Sequence, residues 1–272
     1  MIDEAKHHPE SFPDQWASEW GEDEHGLWMA FHFQKIRHVL RWIEPGVFMM
    51  GSPEDELERE SFEEDETLHQ VTLSEGFWLG ATTVTQALWQ AVTGENPSHF
   101  KGDERPVEQV SWEDAQKFID QLNAAIPGLE LVLPSEAQWE YACRAGTTTP
   151  FSFGVNITPD QVNYDGKYPY ADGAKGEYRQ ETVEVKALPC NQWGLYQMHG
   201  NVWEWCQDGW RNDLSTESVT DPQGAAKEGR AKVVRGGSWS CDGWFVRSAY
   251  RDWYHRDYCL GSIGLRLTVN SN

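Results

Sequence analysis

The chain has 272 residues, 39% of them hydrophobic, with 15 tryptophans and a formal net charge of −22. That apolar content is enough for a sizeable core and excludes a disordered chain. The acidic balance argues against nucleic-acid phosphates and anionic lipid as partners, because both need Lys and Arg for neutralisation.

In chain order, residues 1–25 are polar and read as a poorly ordered start. Residues 27–33 and 38–43 alternate as two paired strands before the Pro45-Gly46 turn. Further strands are expected at 47–50, 70–73 and 76–79. Between them, Glu54 to Glu66 carries Glu56, Glu58, Glu60, Glu63, Glu64 and Glu66, the composition of a solvated loop. A helix follows Thr85, runs over 86–92 and stops at Gly94. Ser111 and Asp114 form a capping-box-like start, after which Ala115, Phe118, Ile119 and Leu122 recur on one stripe. Ser135 and Gln138 open a third helix that runs through Ala142 and ends near Gly146. Beyond Thr147 helical periodicity disappears. Turn residues dominate 156–175 and 208–229, and short strands return at 182–185, 232–235 and 262–268.

The five cysteines, Cys143, Cys190, Cys206, Cys241 and Cys259, show no zinc-type spacing. The first residues have no apolar signal core, and no run reaches membrane-spanning length. The expectation is a reduced, cytoplasmic protein with free thiols, monomeric and without membrane insertion.

The densest pattern is Gly194-Leu-Tyr-Gln-Met-His-Gly-Asn-Val-Trp-Glu-Trp205, followed by Arg235-Gly-Gly-Ser-Trp239. Such interleaving of aromatics and glycines suits a tight, loop-rich core. Val84-Thr-Gln86, Asn96-Pro-Ser-His-Phe100, Pro106-Val-Glu-Gln-Val-Ser-Trp112, Leu133-Pro-Ser-Glu-Ala-Gln-Trp-Glu-Tyr-Ala-Cys-Arg-Ala-Gly146 and Ile263-Gly-Leu-Arg266 complete an ordered set. In this order the motifs resemble the formylglycine-generating enzyme (sulfatase-modifying factor) family. The resemblance implies an α+β domain with a C-type lectin-like fold: short twisted strands, about three helices and many loops. It is expected over 41–272, with residues 1–40 as an N-terminal extension packed on it.

The resemblance fixes less about chemistry, because one fold hosts unrelated activities. The family's oxidases bind copper through two cysteines five residues apart. Cys241 matches the first, and Val246 stands at the second. A lone thiol cannot supply the two soft ligands of a copper(I) site, so no copper and no catalytic residue are expected. A second branch of the fold holds non-haem iron through three histidines, and the nine histidines here show no such spacing. By the same resemblance, structural calcium would be held by Gln197, the Gly200 and Val202 carbonyls and the Glu204 carboxylate. A second site would use Asn163 and the Tyr164 carbonyl, closed by a loop near 176–178. Oxygen donors in irregular loops suit this hard cation.

From Arg235 to Arg266 the chain has no Lys, Glu, Gln or Met, although all four occur elsewhere. The window resembles the C-terminal variable region of diversity-generating-retroelement variable proteins, many of which share this fold. Tyr, Trp, Asp, Ser and Gly there supply rigid anchors and adaptable polar contacts. The expected binding face comprises Ser240, Cys241, Asp242, Gly243, Trp244, Phe245, Asp252, Trp253, Tyr254, His255, Asp257, Cys259, Leu260, Gly261 and Ser262. Its anchors are Trp244, Trp253 and Tyr254, and its framework is Gly236, Gly237, Trp239, Gly264 and Arg266. The function read from this is non-catalytic binding of a protein or other macromolecular ligand. The alternative is a formylglycine-generating oxidase or a related thiol or non-haem-iron oxidase.

Overall fold

The computed structural model describes residues 7–59, 66–212, 214–223 and 229–270. Residues 1–6 and the acidic Glu60, Glu63 and Glu64 lie outside that set. The elements run β1 (Glu19–Asp23), β2 (Gly26–Phe33), β3 (Ile36–Ile43), β4 (Gly46–Met50), β5 (His69–Leu73) and β6 (Phe77–Gly80). Next come α1 (Gln86–Thr93), α2 (Trp112–Ala125), β7 (Leu131–Val132), α3 (Glu136–Arg144), β8 (Trp203–Gly209) and β9 (Val219–Thr220). The chain closes with β10 (Ala231–Arg235), a 3₁₀ turn (Gly243–Val246), β11 (Arg251–His255), β12 (Ile263–Leu265) and β13 (Thr268–Asn270).

Among the described residues the strands form three sheets. A six-stranded sheet has the order β1-β2-β3-β6-β13-β7, a four-stranded one β11-β10-β8-β12, and a small one β4-β5-β9. A boundary at residue 40 would cut β3, which pairs with β6 through Leu40↔Gly80 to Ile43↔Phe77. The buried side chains of Leu40 and Ile43 belong to the two core clusters that also hold the family motifs, and drive that pairing.

The helices follow their caps. In α1 the Thr85 hydroxyl accepts from Leu88 N at 3.3 Å, and Gly94 ends the helix at φ 83°. Both capping boxes form, at Ser111/Asp114 and Ser135/Gln138. The α2 stripe is fully buried, with Trp89 of α1 stacked on Phe118 at 4.8 Å. In α3 the left-handed cap is Ala145 at φ 46°, one residue before the expected glycine.

Two expected strands change. Residues 182–185 form no strand, because a side-chain amide takes the place of a partner strand. Val183 N donates to Asn201 Oδ1 at 2.9 Å, and Asn201 Nδ2 returns a bond to Val183 O at 3.2 Å. The stretch 262–268 splits into β12 and β13, which join different sheets, with Arg266 at the crossover.

The acidic segment is also more than a solvated loop. Glu56 and Glu66 both clasp the buried Arg247 guanidinium, at 2.7 Å and 2.8 Å. Burial pushes the Glu66 carboxyl up, but the Arg247 hydrogen bond and charge outweigh it and hold the group below its ordinary value.

Candidate binding face and cation-site residues

The C-terminal segment is built outward from β10. After Arg235 the chain turns through Gly236 (φ 95°) and Gly237 (φ 71°), and a Cβ on Gly237 would meet Val246 Cγ1 at 2.4 Å. Only glycine fits that close approach. The following loop is hydrogen-bonded to an earlier one: Asp165 N donates to Cys241 O, and Gly243 N to Tyr168 O, both at 2.8 Å. Arg235 is fully buried, ion-paired to Glu140 and donating to the Ser248, Ala249 and Tyr250 carbonyls. Framework and loop are thus fixed from inside.

On this base, Ser240, Trp253, Asp257, Cys259 and Leu260 are exposed. Cys241, Asp242, Trp244, Phe245, Asp252, Tyr254, His255, Gly261 and Ser262 are half-buried. Gly243 is buried instead, because a Cβ there would lie 2.3 Å from Tyr170 N, so it presents nothing to a ligand. Trp239 is not a core residue: half-buried, it donates its indole N–H to Gly261 O at 3.0 Å and stacks against Tyr178.

The three anchors do not form one patch. Alternation along β11 sends Trp253 and Tyr254 to opposite sides of the sheet. Tyr254 packs towards the main core, where Cys241, Phe245 and Tyr250 also lie; Trp244 stacks on Phe245 at 3.7 Å, and both rings meet Tyr250 edge-on at 5.3 Å and 5.0 Å. Trp253, His255 and the exposed Tyr258 form a second aromatic row, with ring centroids 5.6 Å and 5.3 Å apart. Tyr258 and the exposed Tyr168 were missed by the residue-by-residue reading; the exposure of a lone tyrosine has no sequence signal.

The electrostatics of the segment are acidic and unreactive. Burial pushes the Cys241 thiol up to about 11, against the pull of the Ser238 hydroxyl 3.3 Å away. At neutral pH it stays a thiol and a poor nucleophile. Burial raises the Asp242 carboxyl, and the Asp165 and Glu58 carboxylates add to the effect. Val246 is fully buried with Phe151 and Tyr170 and offers no donor atom, so the residues at the family's copper position do not fit copper.

The cation sites divide. The Glu204 carboxylate expected at the first is engaged elsewhere: Arg266 donates to both its oxygens, at 2.9 Å and 2.7 Å, and Trp139 Nε1 adds a third bond at 2.7 Å. A guanidinium neutralises it, so Glu204 does not fit as the closing ligand. Gln197 Oε1 and Asn163 Oδ1 behave differently: both are buried without a hydrogen-bond partner. Their amide nitrogens are used, by Glu184 O at 2.7 Å and by Glu181 O at 3.0 Å, which leaves the oxygens facing away from those carbonyls. The Tyr164 hydroxyl is a third unpartnered buried atom. Gly200, at φ 72°, donates its N–H to Gly236 O at 2.7 Å, and Val202 is buried beside it in chain order. Gln197 Oε1 and Asn163 Oδ1 are therefore free oxygen donors of the kind a hard cation takes, and Asn163 is bridged to Gly200 through the backbone.

The chain belongs to the sulfatase-modifying factor family: residues 32–271 match the sulfatase-modifying factor enzyme 1-like domain. It is 32% identical over 197 residues to the mouse formylglycine-generating enzyme, which covers 71% of this chain and 46% of that protein. The chain therefore spans about half the length of this curated relative. Among solved structures it is similar to Treponema denticola variable protein 1, with TM-score 0.73 and 25% identity over 89% of this chain and 98% of that one. It is similar also to PvdO from Pseudomonas aeruginosa, with TM-score 0.76 and 25% identity over 90% and 98%. The fold is the lectin-like α+β architecture expected from the motifs.

Proposed function

We propose that this protein is a non-catalytic binding protein whose C-terminal segment presents a variable face to a macromolecular ligand. The observation that carries the reading is the contrast within 235–266. Gly236, Gly237, Arg235, Gly264 and Arg266 are buried, whereas Ser240, Trp253, Asp257, Cys259 and Leu260 stand exposed between them. Diversity at the exposed positions costs little stability, since surface substitutions usually stay within about 0.5 kcal/mol. Similarity to a variable protein over nearly its whole length supports the same reading. The ligand contacts come from two aromatic groups, Trp244 with Phe245 and Trp253 with His255, of the kind that dominate interfaces. Structural calcium at Asn163 and Gln197 belongs to the same reading, stiffening the loops behind the face.

The gene itself supplies the test. A near-copy of the 235–266 coding region beside a reverse transcriptase is expected, with differences confined to codons of the exposed and half-buried face positions. Differences spread over Gly236, Gly237 and Arg266 as well, or a locus without any copy, would refute the reading. The runner-up, a formylglycine-generating oxidase, rests on the identity to enzymes of that name. Aldehyde formed catalytically on a Cys-x-Pro-x-Arg peptide in the presence of copper(I) would establish it instead.

A further inference from the structure

Glu108 lies under the last part of the proposed face and is fully buried. Half of its carboxylate has an evident task. Oε1 accepts from Phe100 N at 2.8 Å, and Glu108 N donates to Ser98 Oγ at 3.1 Å, so the residue holds the 96–100 loop in place. Oε2 has no partner. A buried carboxylate oxygen without a donor is costly and calls for an explanation beyond loop anchoring.

The surroundings suggest what completes it. Gly261 lies across from Oε2: a Cβ built there would sit 3.5 Å from that oxygen and 4.0 Å from Gln109 Nε2 and His99 Cβ. Gly261 is not in the left-handed region, so its backbone does not demand glycine, and the missing side chain leaves room for a methyl-sized group in ordinary contact with the oxygen. Phe100 meets Trp239 edge-on at 5.3 Å and His99 at 4.7 Å, and Trp239 is tied to Gly261 O. Burial raises the Glu108 carboxyl, against the pull of the Phe100 and His99 amides and the nearby His99 and Lys101 charges.

We propose that Glu108 Oε2 and the gap left by Gly261 form a subsite for an organic ammonium group of the ligand. The carboxylate supplies the charge-assisted hydrogen bond. The subsite rests on the reading of 240–262 as a binding face, and it names one chemical group of what that face takes. An acidic protein of net charge −22 is matched to such a cationic group.

Titration of ¹⁵N-labelled protein with n-butylammonium chloride tests it, with n-pentanol as the neutral counterpart of similar size and sodium chloride as the ionic-strength control. Saturable shifts of the Gly261 amide and the Trp239 indole N–H are expected with the ammonium salt alone. Glu108→Gln keeps an acceptor for Phe100 N, and should weaken binding about tenfold or more. Gly261→Ala should do the same by filling the gap without straining the backbone. A Glu108→Gln protein that titrates like the parent, or equal shifts with n-pentanol, would overturn the subsite and leave Oε2 satisfied by an ordered water only. A locus without diversification would remove the display reading yet leave the ammonium titration unchanged, so the two failures are distinguishable.

Discussion

Arg266 grips Glu204 through two parallel hydrogen bonds, and neither side chain is more than 1% exposed. The same guanidinium donates to Gly80 O and Tyr196 O, both at 2.8 Å. One residue therefore ties β8 of the four-stranded sheet to the end of β6 in the six-stranded one. Removing either partner strands a buried charge, which costs about 3–5 kcal/mol. Glu204→Gln and Arg266→Met should each lower the urea midpoint accordingly, and the double variant should lose less than the sum. Midpoints equal to the parent's would show that the pair does not hold the sheets together.

Two buried histidines set the response to acid. Burial pushes His38 down to about 3 and His199 down to about 4 from 6.5. The unfolded chain therefore binds protons that the folded one refuses, so stability is fully present above pH 6.5 and falls as the pH drops towards 4. The slope approaches about 1.4 kcal/mol per pH unit for each histidine. Urea unfolding at pH 7, 6 and 5 should show this decline, and His38→Leu should remove about half of it. A flat profile over that window would mean that both imidazoles charge in place.

Calcium is the third expectation. A cation bound to the folded state alone stabilises it by roughly 2–3 kcal/mol at a hundredfold excess over Kd. Chelation should lower the melting temperature of metal-loaded protein, and Asn163→Ala or Gln197→Ala should abolish part of that response. Because the Glu204 carboxylate is held by Arg266, Glu204→Gln should destabilise the fold with and without chelator alike. Identical melting curves for loaded and chelated parent protein would rule the sites out.

Much of the fold was legible because its signals are local. The caps at Thr85, Ser111 and Ser135 lie within three residues of the groups they satisfy, so the helix starts could be read directly. What escaped depends on partners far along the chain. Glu204 and Arg266 are 62 positions apart, and from sequence a carboxylate awaiting a guanidinium looks the same as one awaiting a cation. Glu56 and Glu66 pair with Arg247 across 191 and 181 positions, which a count of charges cannot show. Residues 182–185 have the composition of a strand, but Asn201 supplies the pairing through its side chain. The candidate face was legible as a segment and not as a surface, because the two sides of β11 divide it.

The place of β13 has a consequence for how the chain is made. Residues 268–270 fill the slot between β6 and β7, pairing Thr268 with both Leu79 and Val132. During synthesis, β1, β2, β3 and β6 can meet early, but β7 has no neighbour in the sheet until residue 270 has left the ribosomal tunnel. Until then the backbone edges of β6 and β7 stay open, a condition that invites pairing with other nascent chains. A ribosome stalled just before residue 268 would hold a chain with nearly all its core residues and a divided main sheet.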